Sequence, residues 1–229
     1  MSHAQQSLAS LPLASLNYIL PKPLAFLVIA ATLSLLTNVV TRQPSSKSSS
    51  QLESALQSLQ IVQTLRSNSS YTELKRGYSM LSDEERKSHL TAGSLSGNGK
   101  LAIEPLVFKR KEGLQDEVGE EIIVIYHLGK KLCGHQDIVH GGMLATVMDE
   151  CLAFTTIPNL PDKNGATAYL HINYRQPCVS GQFVVIKCAV TKLERRKGFV
   201  EGKMETINGN TIVDANALFI SIKKLNGDK

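Results

Sequence analysis

The stretch Cys133-Gly-His-Gln-Asp-Ile-Val-His-Gly-Gly-Met-Leu-Ala-Thr-Val-Met-Asp-Glu150 decides how this chain folds. A polar loop runs into His-Gly-Gly and then directly into an apolar run that ends near Ile157. Apolar side chains lie on nearly every side of a helix drawn through this run, and such a helix is typical of a protein interior. Two neighbouring carboxylates, Asp149 and Glu150, interrupt it. The sequence therefore predicts one long buried helix with acidic residues two turns after its glycine-rich start.

Gly141 and Gly142 open this helix, and the lack of side chains there lets another molecule approach the backbone. The N–H groups of a first turn have no partner within their helix, and the helix dipole makes this end electropositive. The helix start is therefore a candidate site for an anion or a developing oxyanion, with Asp149 as the candidate general base or nucleophile. A tight loop-to-helix turn followed by a structural carboxylate would give the same local pattern.

The spacing between these groups predicts a dimer. Asp149 follows Gly142 by seven residues, which is roughly 10 Å of helix rise. One carbonyl group cannot contact both groups at this distance. If both act in one site, the Asp belongs to a second copy of the helix across a two-fold axis.

The length of 229 residues favours one domain of ordinary size plus an extension. The net charge of +5 is unevenly spread, because residues 100–229 hold 17 basic and 15 acidic side chains while residues 1–99 hold 8 and 5. The folded part is thus close to neutral, which argues against a nucleic-acid surface. The spacing of the four cysteines indicates neither a structural zinc site nor a disulfide framework. A protein of a reducing compartment is consistent with these positions, which are Cys133, Cys151, Cys178 and Cys188.

Residues 1–43 are interpreted as a targeting segment or membrane anchor. Residues 24–40 are 17 uncharged and mostly apolar residues, at the lower limit for a helix that spans a bilayer. We favour a single N-terminal transmembrane helix, and a cleaved targeting segment is the alternative. The acid-free, Ser-rich start favours a mitochondrial membrane, with the endoplasmic reticulum or another membrane as the alternative.

Residues 44–99 are predicted to be a polar linker and an amphipathic helical segment. The spacing of leucine and valine in Gln51–Arg66 predicts one amphipathic helix. Ser82 and Glu85 match a capping box, which predicts a second helix start. Gly93–Gly99 is glycine-rich but lacks the Lys-Ser/Thr of a phosphate-binding loop, and we interpret it as a linker.

Residues 100–229 show the pattern of β-strands placed around the long helix. Glu120–His127 is a strand candidate before the glycine-rich loop, and four more strand candidates follow the helix with short connections. This order predicts an α+β domain in which an antiparallel β-sheet is wrapped around one long central α-helix.

The order of elements, together with three motifs, resembles the hotdog-fold acyl-CoA thioesterases. The motifs are His140-Gly-Gly-Met-Leu-Ala-Thr-Val-Met-Asp149, Thr167-Ala-Tyr-Leu-His-Ile-Asn-Tyr-Arg-Gln-Pro177 and Glu194-Arg-Arg-Lys-Gly-Phe-Val200. The likeness covers residues 100–229 and is strongest to the PaaI-like branch with the mitochondrial carboxyl-terminal modulator protein and its fungal, membrane-anchored relatives. It implies the hotdog fold.

The resemblance implies a role in thioester hydrolysis for each matching residue. The Gly142 N–H would hold the thioester carbonyl oxygen, and Asp149 of the partner subunit would activate water or attack directly. Thr167 would position the nucleophile. His140 and Gly141 would line the substrate-binding loop, with His140 shaping the loop more than moving protons.

Further candidates have both a ligand-binding and a structural interpretation. Strict alternation in the strand 167–174 places His171 and Asn173 on the face of Thr167, where they contact either ligand or solvent. The basic turn either holds CoA phosphates or is a solvated hairpin, and it consists of Arg195, Arg196 and Lys197. Non-catalytic positions are predicted for Glu150, as a structural or interface carboxylate, for His135, at the surface, and for Cys151, in the core.

The resemblance implies a membrane-anchored enzyme that hydrolyses acyl-CoA to free acid and CoA, as a homodimer or a dimer of dimers, without metal or cofactor. A non-catalytic acyl-CoA or protein-binding module of the same fold is the alternative. A hydratase of this fold usually needs an Asp and a His together near the helix, and no His lies within reach along this one. The length of the acyl chain cannot be derived from the pattern.

Overall fold

A curved antiparallel sheet packs around one long helix in the computed structural model of the protein, which describes residues 47–75, 77–111 and 122–223. The α-helices are α1 (Ser49–Gln57), α2 (Gln60–Ser67), α3 (Asp83–Ser88) and the long helix α4 (Gly141–Thr156). The strands are β1 (Tyr71–Glu73), β2 (Leu106–Arg110), β3 (Ile122–Leu128), β4 (Cys133–His135), β5 (Ile138–Val139), β6 (Gly165–Tyr174), β7 (Gln182–Glu194), β8 (Lys197–Thr206) and β9 (Thr211–Ser221). Short 3-10 turns occur at Gly77–Met80, Lys130–Leu132 and Ile157–Asn159, and a π-helical turn at Leu90–Ser94.

Seven of these strands form one sheet in the order β1-β2-β3-β7-β8-β9-β6, and each strand is antiparallel to its neighbours. Strands β4 and β5 form a separate hairpin that leads into α4. The predicted α+β arrangement, an antiparallel sheet around one central helix, is confirmed.

The inner face of the sheet and α4 share the main hydrophobic core, as the apolar pattern predicted. Val147, Met148 and Leu152 of the helix are each 0% exposed. The sheet approaches the helix so closely at Gly202 that a Cβ there would lie 2.9 Å from a methyl carbon of Leu152. Because burial of side chains of this size contributes about 1.5–3 kcal/mol each, this packing fixes α4 against the strands.

A second apolar cluster covers the outer face of the sheet beneath α1 and α2. Leu56 from α1 and Val62 from α2 are buried against Phe108 of β2 and Ile125 of β3. Strand β3 is therefore buried along its whole length. Burial on both faces explains why its sequence is continuously apolar rather than alternating.

The prediction of one amphipathic helix over Gln51–Arg66 is wrong in one respect, because the structure divides it into α1 and α2. Ser58 Oγ donates to the Ala55 carbonyl at 2.9 Å, and Leu59 is extended, with φ −61° and ψ 132°. A serine side chain that bonds a preceding carbonyl competes with continuation of the helix. The bend lets both helices place apolar residues on the same sheet.

Two other local predictions have different outcomes. The capping box is confirmed, because Ser82 Oγ accepts from the Glu85 N–H at 3.2 Å and the Glu85 carboxylate accepts from the Ser82 N–H at 2.8 Å. The stretch Gly93–Gly99 forms a hydrogen-bonded turn instead of an open linker. In it, the Gly97 N–H donates to the Leu101 carbonyl at 3.0 Å, and its φ of 112° is a conformation that favours glycine.

The predicted transmembrane segment, residues 24–40, lies outside the described residues, as does the rest of the segment 1–43. Among the helices that the structure describes, none combines the length and the hydropathy needed to cross a bilayer. Membrane anchoring of this chain therefore stays a prediction.

The outer cluster makes α1 part of the folded domain. We expect Leu56→Ala to lower the free energy of unfolding by about 2–4 kcal/mol, because it empties an enclosed site between α1 and the sheet. Urea denaturation followed by circular dichroism measures this change. Thr64→Ala on the exposed side of α2 is the matched control, with an expected effect below about 0.5 kcal/mol. Equal stability of the two variants would contradict the packing of α1 on the sheet.

Candidate active site

His140 is the N-cap of α4 and holds the helix start in place. Its backbone is extended, with φ −60° and ψ 133°, and its Nδ1 accepts a hydrogen bond from the Gly142 N–H at 2.9 Å. The β4–β5 hairpin lies against the same ring, since a Cβ on Gly134 would come within 2.5 Å of His140 Cδ2. The histidine thus shapes the loop, and its predicted contact with substrate stays a prediction.

The two glycine amides at the helix start differ in availability. The Gly142 N–H is engaged by the His140 ring, so it can bind another molecule only after the ring turns away. In the part of the chain that the structure describes, the Gly141 N–H has no hydrogen-bond acceptor. The Gly141 amide is therefore the open donor at this electropositive helix end.

Two side chains of strand β6 donate hydrogen bonds to residues of α4. Thr167 Oγ1 donates to Asp149 Oδ1 at 3.0 Å. Farther along the strand, Tyr174 Oη donates to the Gly141 carbonyl at 2.9 Å. Two predicted site residues, Thr167 and Asp149, are thus in direct contact within one chain. Tyr174 is a site residue that sequence reasoning missed, although it lies inside the motif that contains Thr167.

A β-bulge between Thr167 and Tyr169 changes which residues of β6 face the helix. Thr167 pairs with the buried Phe219 and points inward, whereas Leu170 pairs with Ala217 and also points inward. The residue inserted at Ala168 shifts the alternation by one position. The expectation that His171 and Asn173 share the face of Thr167 is therefore wrong.

His171 and Asn173 lie on the outer face of the sheet, beside Asp214. Asn173 Nδ2 donates to Asp214 Oδ2 at 3.1 Å, and the His171 Nε2 lies 3.2 Å from Asn173 Oδ1. Arg175 also binds Asp214, and this hydrogen bond holds the pKa of the carboxyl below its usual range. Within one chain these side chains do not approach Asp149, so ligand binding by Asn173 stays a prediction.

The basic turn between β7 and β8 lies at the C-terminal end of α4. A Cβ on Gly198 would come within 2.4 Å of Cγ2 of Thr156, which is the last residue of the helix. The 16 residues of α4 are about 24 Å long. Within one chain the turn and Gly141 are therefore at opposite ends of the helix.

The three basic side chains of this turn have different surroundings. The Arg196 guanidinium donates from Nε to the Ser221 carbonyl at 3.1 Å, which ties the turn to the end of β9. All three side chains are exposed, and Arg195 has a φ of 50°. Because the Arg196 guanidinium is engaged by Ser221, Arg195 and Lys197 suit a phosphate better than Arg196 does. The predicted CoA-binding role of the turn stays a prediction.

Glu150 accepts a hydrogen bond within a largely buried tyrosine cluster. Tyr78 Oη donates to the Glu150 carboxylate, and the Tyr126 and Thr91 hydroxyls lie 3.0 and 2.9 Å from the same Tyr78 oxygen. A rotation of about 100° on the helix separates Glu150 from Asp149, so the two neighbouring acids serve different sites. The predicted structural position of Glu150 agrees with these contacts. Sequence reasoning missed both tyrosines, since no local pattern links them to α4.

A cavity of about 60 Å³ opens beside this cluster, and its apolar walls include Pro105, Val107, Val124 and Phe154. Burial and the neighbouring Glu150 carboxylate raise the pKa of Tyr78 far above its ordinary value. Burial also raises the pKa of Tyr126. Both hydroxyls are therefore neutral hydrogen-bonding groups throughout the physiological range.

The remaining candidates behave as structural residues. His135 is exposed, and its Nδ1 accepts from the Gln136 N–H at 2.8 Å. Cys151 is 2% exposed and burial raises the pKa of its thiol, in agreement with a core position. All four cysteines are free thiols. Over residues 47–75, 77–111 and 122–223, no group of His, Cys, Asp and Glu side chains could hold a metal ion, and the expectation of no metal or cofactor stays a prediction.

Comparison with known proteins identifies the family. Residues 136–213 match the family model of the Thioesterase superfamily. An uncharacterized protein of Schizosaccharomyces pombe is 32% identical over 178 residues, which span 76% of this chain and 95% of that protein. The chain belongs to the thioesterase superfamily. The resemblance that the three motifs indicated is thereby confirmed, and the central helix with its glycine-rich start and Asp149 lies inside the matched region.

Other relatives match over part of their length. The bovine acyl-coenzyme A thioesterase THEM4 is 30% identical over 145 residues, covering 62% of this chain and 56% of that protein. The mitochondrial membrane protein FMP10 of Saccharomyces cerevisiae, itself uncharacterized, is 30% identical over 148 residues, covering 63% and 58%. The chain thus spans a little more than half of these two relatives. A Bacillus halodurans protein crystallised with CoA is 25% identical, with a TM-score of 0.40 and coverage of 43% of this chain and 65% of that one.

The tyrosine cluster makes the folded state sensitive to strongly alkaline pH. Because the pKa of Tyr78 and of Tyr126 is higher in the folded than in the unfolded protein, only the unfolded state releases these protons just above pH ~10. We expect the free energy of unfolding to fall above that pH by about 1.4 kcal/mol per pH unit for each tyrosine.

Urea denaturation between roughly pH 9 and pH 11 measures this slope. Tyr78→Phe removes one of these protons, so the free energy of unfolding is expected to fall less steeply with pH, by about 1.4 kcal/mol per pH unit. Tyr169→Phe removes an exposed hydroxyl and should keep the wild-type slope. The same slope in Tyr78→Phe and wild type would contradict the proposed protonation of the cluster.

Proposed function

We propose that the chain hydrolyses acyl-CoA thioesters to a free acid and CoA. The contact of Thr167 Oγ1 with Asp149 Oδ1 at 3.0 Å carries the proposal, because it fixes a carboxylate at the sheet edge in a member of the thioesterase superfamily. The name of the bovine relative, an acyl-coenzyme A thioesterase, supports CoA esters as the substrate class. The basic turn supplies cations for the CoA phosphates through Arg195, Arg196 and Lys197.

Asp149 acts as the general base in this proposal. Its carboxylate takes a proton from water while the water oxygen attacks the thioester carbonyl carbon. The Thr167 hydroxyl occupies Oδ1 and so leaves Oδ2 for the water. Direct attack by the carboxylate would instead break the C–S bond, release the CoA thiolate and form a mixed anhydride, which water then hydrolyses to the free acid and the regenerated carboxylate.

The helix start stabilises the charge that develops on the carbonyl oxygen. The oxyanion accepts a hydrogen bond from the open Gly141 N–H and lies at the positive end of the α4 dipole. Rotation of the His140 ring adds the Gly142 N–H, which is the donor expected from the sequence. Breakage of the C–S bond then releases the CoA thiolate, which takes up a proton, and leaves the free acid.

The base and the oxyanion donor come from different subunits. Gly141 and Asp149 are separated by roughly 12 Å along α4, so a carbonyl held at one glycine cannot reach the carboxylate of the same chain. We therefore assign the base to the partner subunit of a homodimer, which can itself be half of a dimer of dimers.

The mitochondrial membrane protein among the fungal relatives supports a mitochondrial location. Residues 24–40 would anchor the chain to that membrane. The endoplasmic reticulum or another membrane is the alternative location.

Replacement of the base tests the proposed reaction in the full-length protein. We expect Asp149→Asn to lower kcat by at least about 100-fold, because an amide accepts no proton from water. Thr167→Ala should lower kcat by about 10-fold and Thr167→Ser should restore it, since serine keeps the hydroxyl that binds Asp149. Thiol release from acyl-CoAs of several chain lengths measures these rates.

Circular dichroism and the size of the assembly serve as folding controls for these variants. Equal slow thiol release by wild type and Asp149→Asn would refute hydrolysis and favour a non-catalytic acyl-CoA-binding module. The engagement of the Gly142 N–H by His140 is the observation that favours this alternative, because it leaves a single open donor at the helix start.

A proline substitution identifies the oxyanion donor. Proline lacks an N–H but suits the first helical position, and His140 before it is already extended. We expect Gly141→Pro to lower kcat by about 100-fold or more, as the loss of one oxyanion donor does. Gly141→Ala keeps the N–H, and its Cβ meets the Tyr174 ring at an ordinary 3.5 Å, so it should retain most activity. Full activity in Gly141→Pro would assign the role to Gly142 alone.

Mixed subunits test the shared site. Random mixing of Asp149→Asn with Gly141→Pro subunits places both defects in one site of each mixed dimer and leaves the other site intact. We expect such a mixture to regain about a quarter of the wild-type activity, whereas each parent is inactive. Complete failure to regain activity, with mixed dimers demonstrated by native mass spectrometry, would rule out the cross-subunit arrangement.

A further inference from the structure

We propose that the cavity beside the tyrosine cluster binds a small aliphatic amine in its protonated, ammonium form. Such a site goes beyond the proposed hydrolysis and does not depend on it. Three features of the cavity point to this ligand: a carboxylate without a cationic partner among the described residues, a wall of aromatic rings, and a volume that suits only a few atoms.

The cavity lies on a different side of α4 from the proposed base. Its walls include Val107 of β2 and Val124 of β3. Asp149 instead contacts Thr167 of β6, and strands β3, β7, β8 and β9 lie between β2 and β6 in the sheet. Glu150, which lines the cavity, is rotated about 100° from Asp149 on the helix. Within one chain, a ligand in the cavity is therefore away from the Asp149 carboxylate.

Glu150 gives the cavity a negative charge. This half-buried carboxylate accepts a hydrogen bond from the Tyr78 hydroxyl through Oε1. Over residues 47–75, 77–111 and 122–223, no ion pair involves Glu150 and no hydrogen bond reaches its Oε2. Arg86, which contacts the same segment, donates to the Tyr78 carbonyl instead. Because a charge that leaves water is usually paired, Oε2 is open to a cationic donor.

The other polar groups of the cavity favour a cation over an anion. A second carboxylate, Glu104, lines the cavity, and its described lining residues include no Lys, Arg or His. The Tyr126 oxygen lies 3.0 Å from the Tyr78 oxygen and has lone pairs that accept hydrogen bonds. An ammonium group has three N–H donors for these acceptors, whereas a phosphate or a carboxylate has none.

The aromatic wall suits the same ligand. Rings of Tyr78, Tyr126 and Phe154 line the cavity. The negative face of such a ring attracts an ammonium group within about 6 Å of the ring centre. The remaining apolar walls, which include Pro105 and Val107, cover an alkyl chain. An aliphatic amine therefore matches both the polar and the apolar part of the cavity.

The volume limits the size of this amine. One water molecule needs at least about 10–15 Å³ of cavity volume, so the cavity of about 60 Å³ holds about four or five non-hydrogen atoms. Phe154 is 41% exposed and marks where the cavity opens to solvent. n-Butylammonium fills a space of this size, and we use it as the probe.

Binding of n-butylammonium to the full-length protein tests the site. 1-Butanol is a neutral probe of the same shape, and titrations followed by saturation-transfer NMR at neutral pH give both dissociation constants. We expect n-butylammonium to bind at least about 10-fold more tightly, because hydrogen bonds to a carboxylate are about twice as strong from a charged donor. Equal binding of the two probes, or no binding of n-butylammonium at about 10 mM, would overturn an ammonium site.

Substitutions locate the bound amine. Glu150→Gln keeps an oxygen for the Tyr78 hydroxyl but removes the charge, so we expect at least about 10-fold weaker binding of n-butylammonium and unchanged binding of 1-butanol. Glu201→Gln is the matched control, because this carboxylate is exposed on β8, and it should bind both probes like wild type. Wild-type affinity of Glu150→Gln for n-butylammonium would overturn the assignment to this cavity.

Phe154→Leu tests the aromatic wall at the surface, where a substitution leaves the fold intact. It keeps an apolar side chain but removes the ring, so we expect about 2–5-fold weaker binding of n-butylammonium. Circular dichroism checks the fold of each variant. If Glu150→Gln does not fold, Phe154→Leu decides, and wild-type affinity in this variant would overturn the site.

A lysine side chain of another protein carries the same ammonium group. N-acetyl-lysine methylamide presents that side chain together with two amide groups. We expect it to bind more weakly than n-butylammonium, because its amide groups exceed the volume of the cavity. Tighter binding of the lysine derivative would overturn a free amine as the ligand and assign the cavity to a lysine of a partner protein.

Discussion

One inserted residue in β6 determines where the polar groups of this protein meet. Because Ala168 forms a bulge, Thr167 before it and Tyr174 after it both point toward α4. A regular strand of period two would direct only one of them inward. The bulge thus lets one strand hold the carboxylate of Asp149 and the carbonyl of Gly141 at the same time, and it fixes both against a helix that the core already immobilises.

The buried helix could be predicted because its apolar side chains cover almost every side, and no other element accommodates such a pattern. Asp149 and the glycine pair followed from their place on that helix, and Thr167 followed from a motif. The bulge could not be predicted from the sequence, because the residues 167–174 are equally compatible with a regular strand and with a strand that has one inserted residue. The outward positions of His171 and Asn173 depend on that single irregularity.

The other features that could not be predicted are contacts between residues that lie far apart in the chain. The bond of Tyr78 to Glu150 joins the segment before α3 to the middle of α4, and neither residue lies in a pattern that names the other. The helices α1 and α2 cover the outer face of the sheet, which makes β3 an interior strand. Amphipathic spacing predicts that such helices bury one side, but it does not say against which surface.

The position of β6 also governs when Thr167 and Tyr174 become aligned with α4 during synthesis of the chain. Among the strands that the structure describes, β6 pairs only with β9, and β9 follows it in the chain. Until Thr211–Ser221 is made, nothing in the described sheet holds Thr167 and Tyr174 against the already completed helix. A chain that ends between Asp149 and Thr211 therefore possesses Asp149 and the glycine pair but lacks the strand that aligns Thr167 and Tyr174 with them.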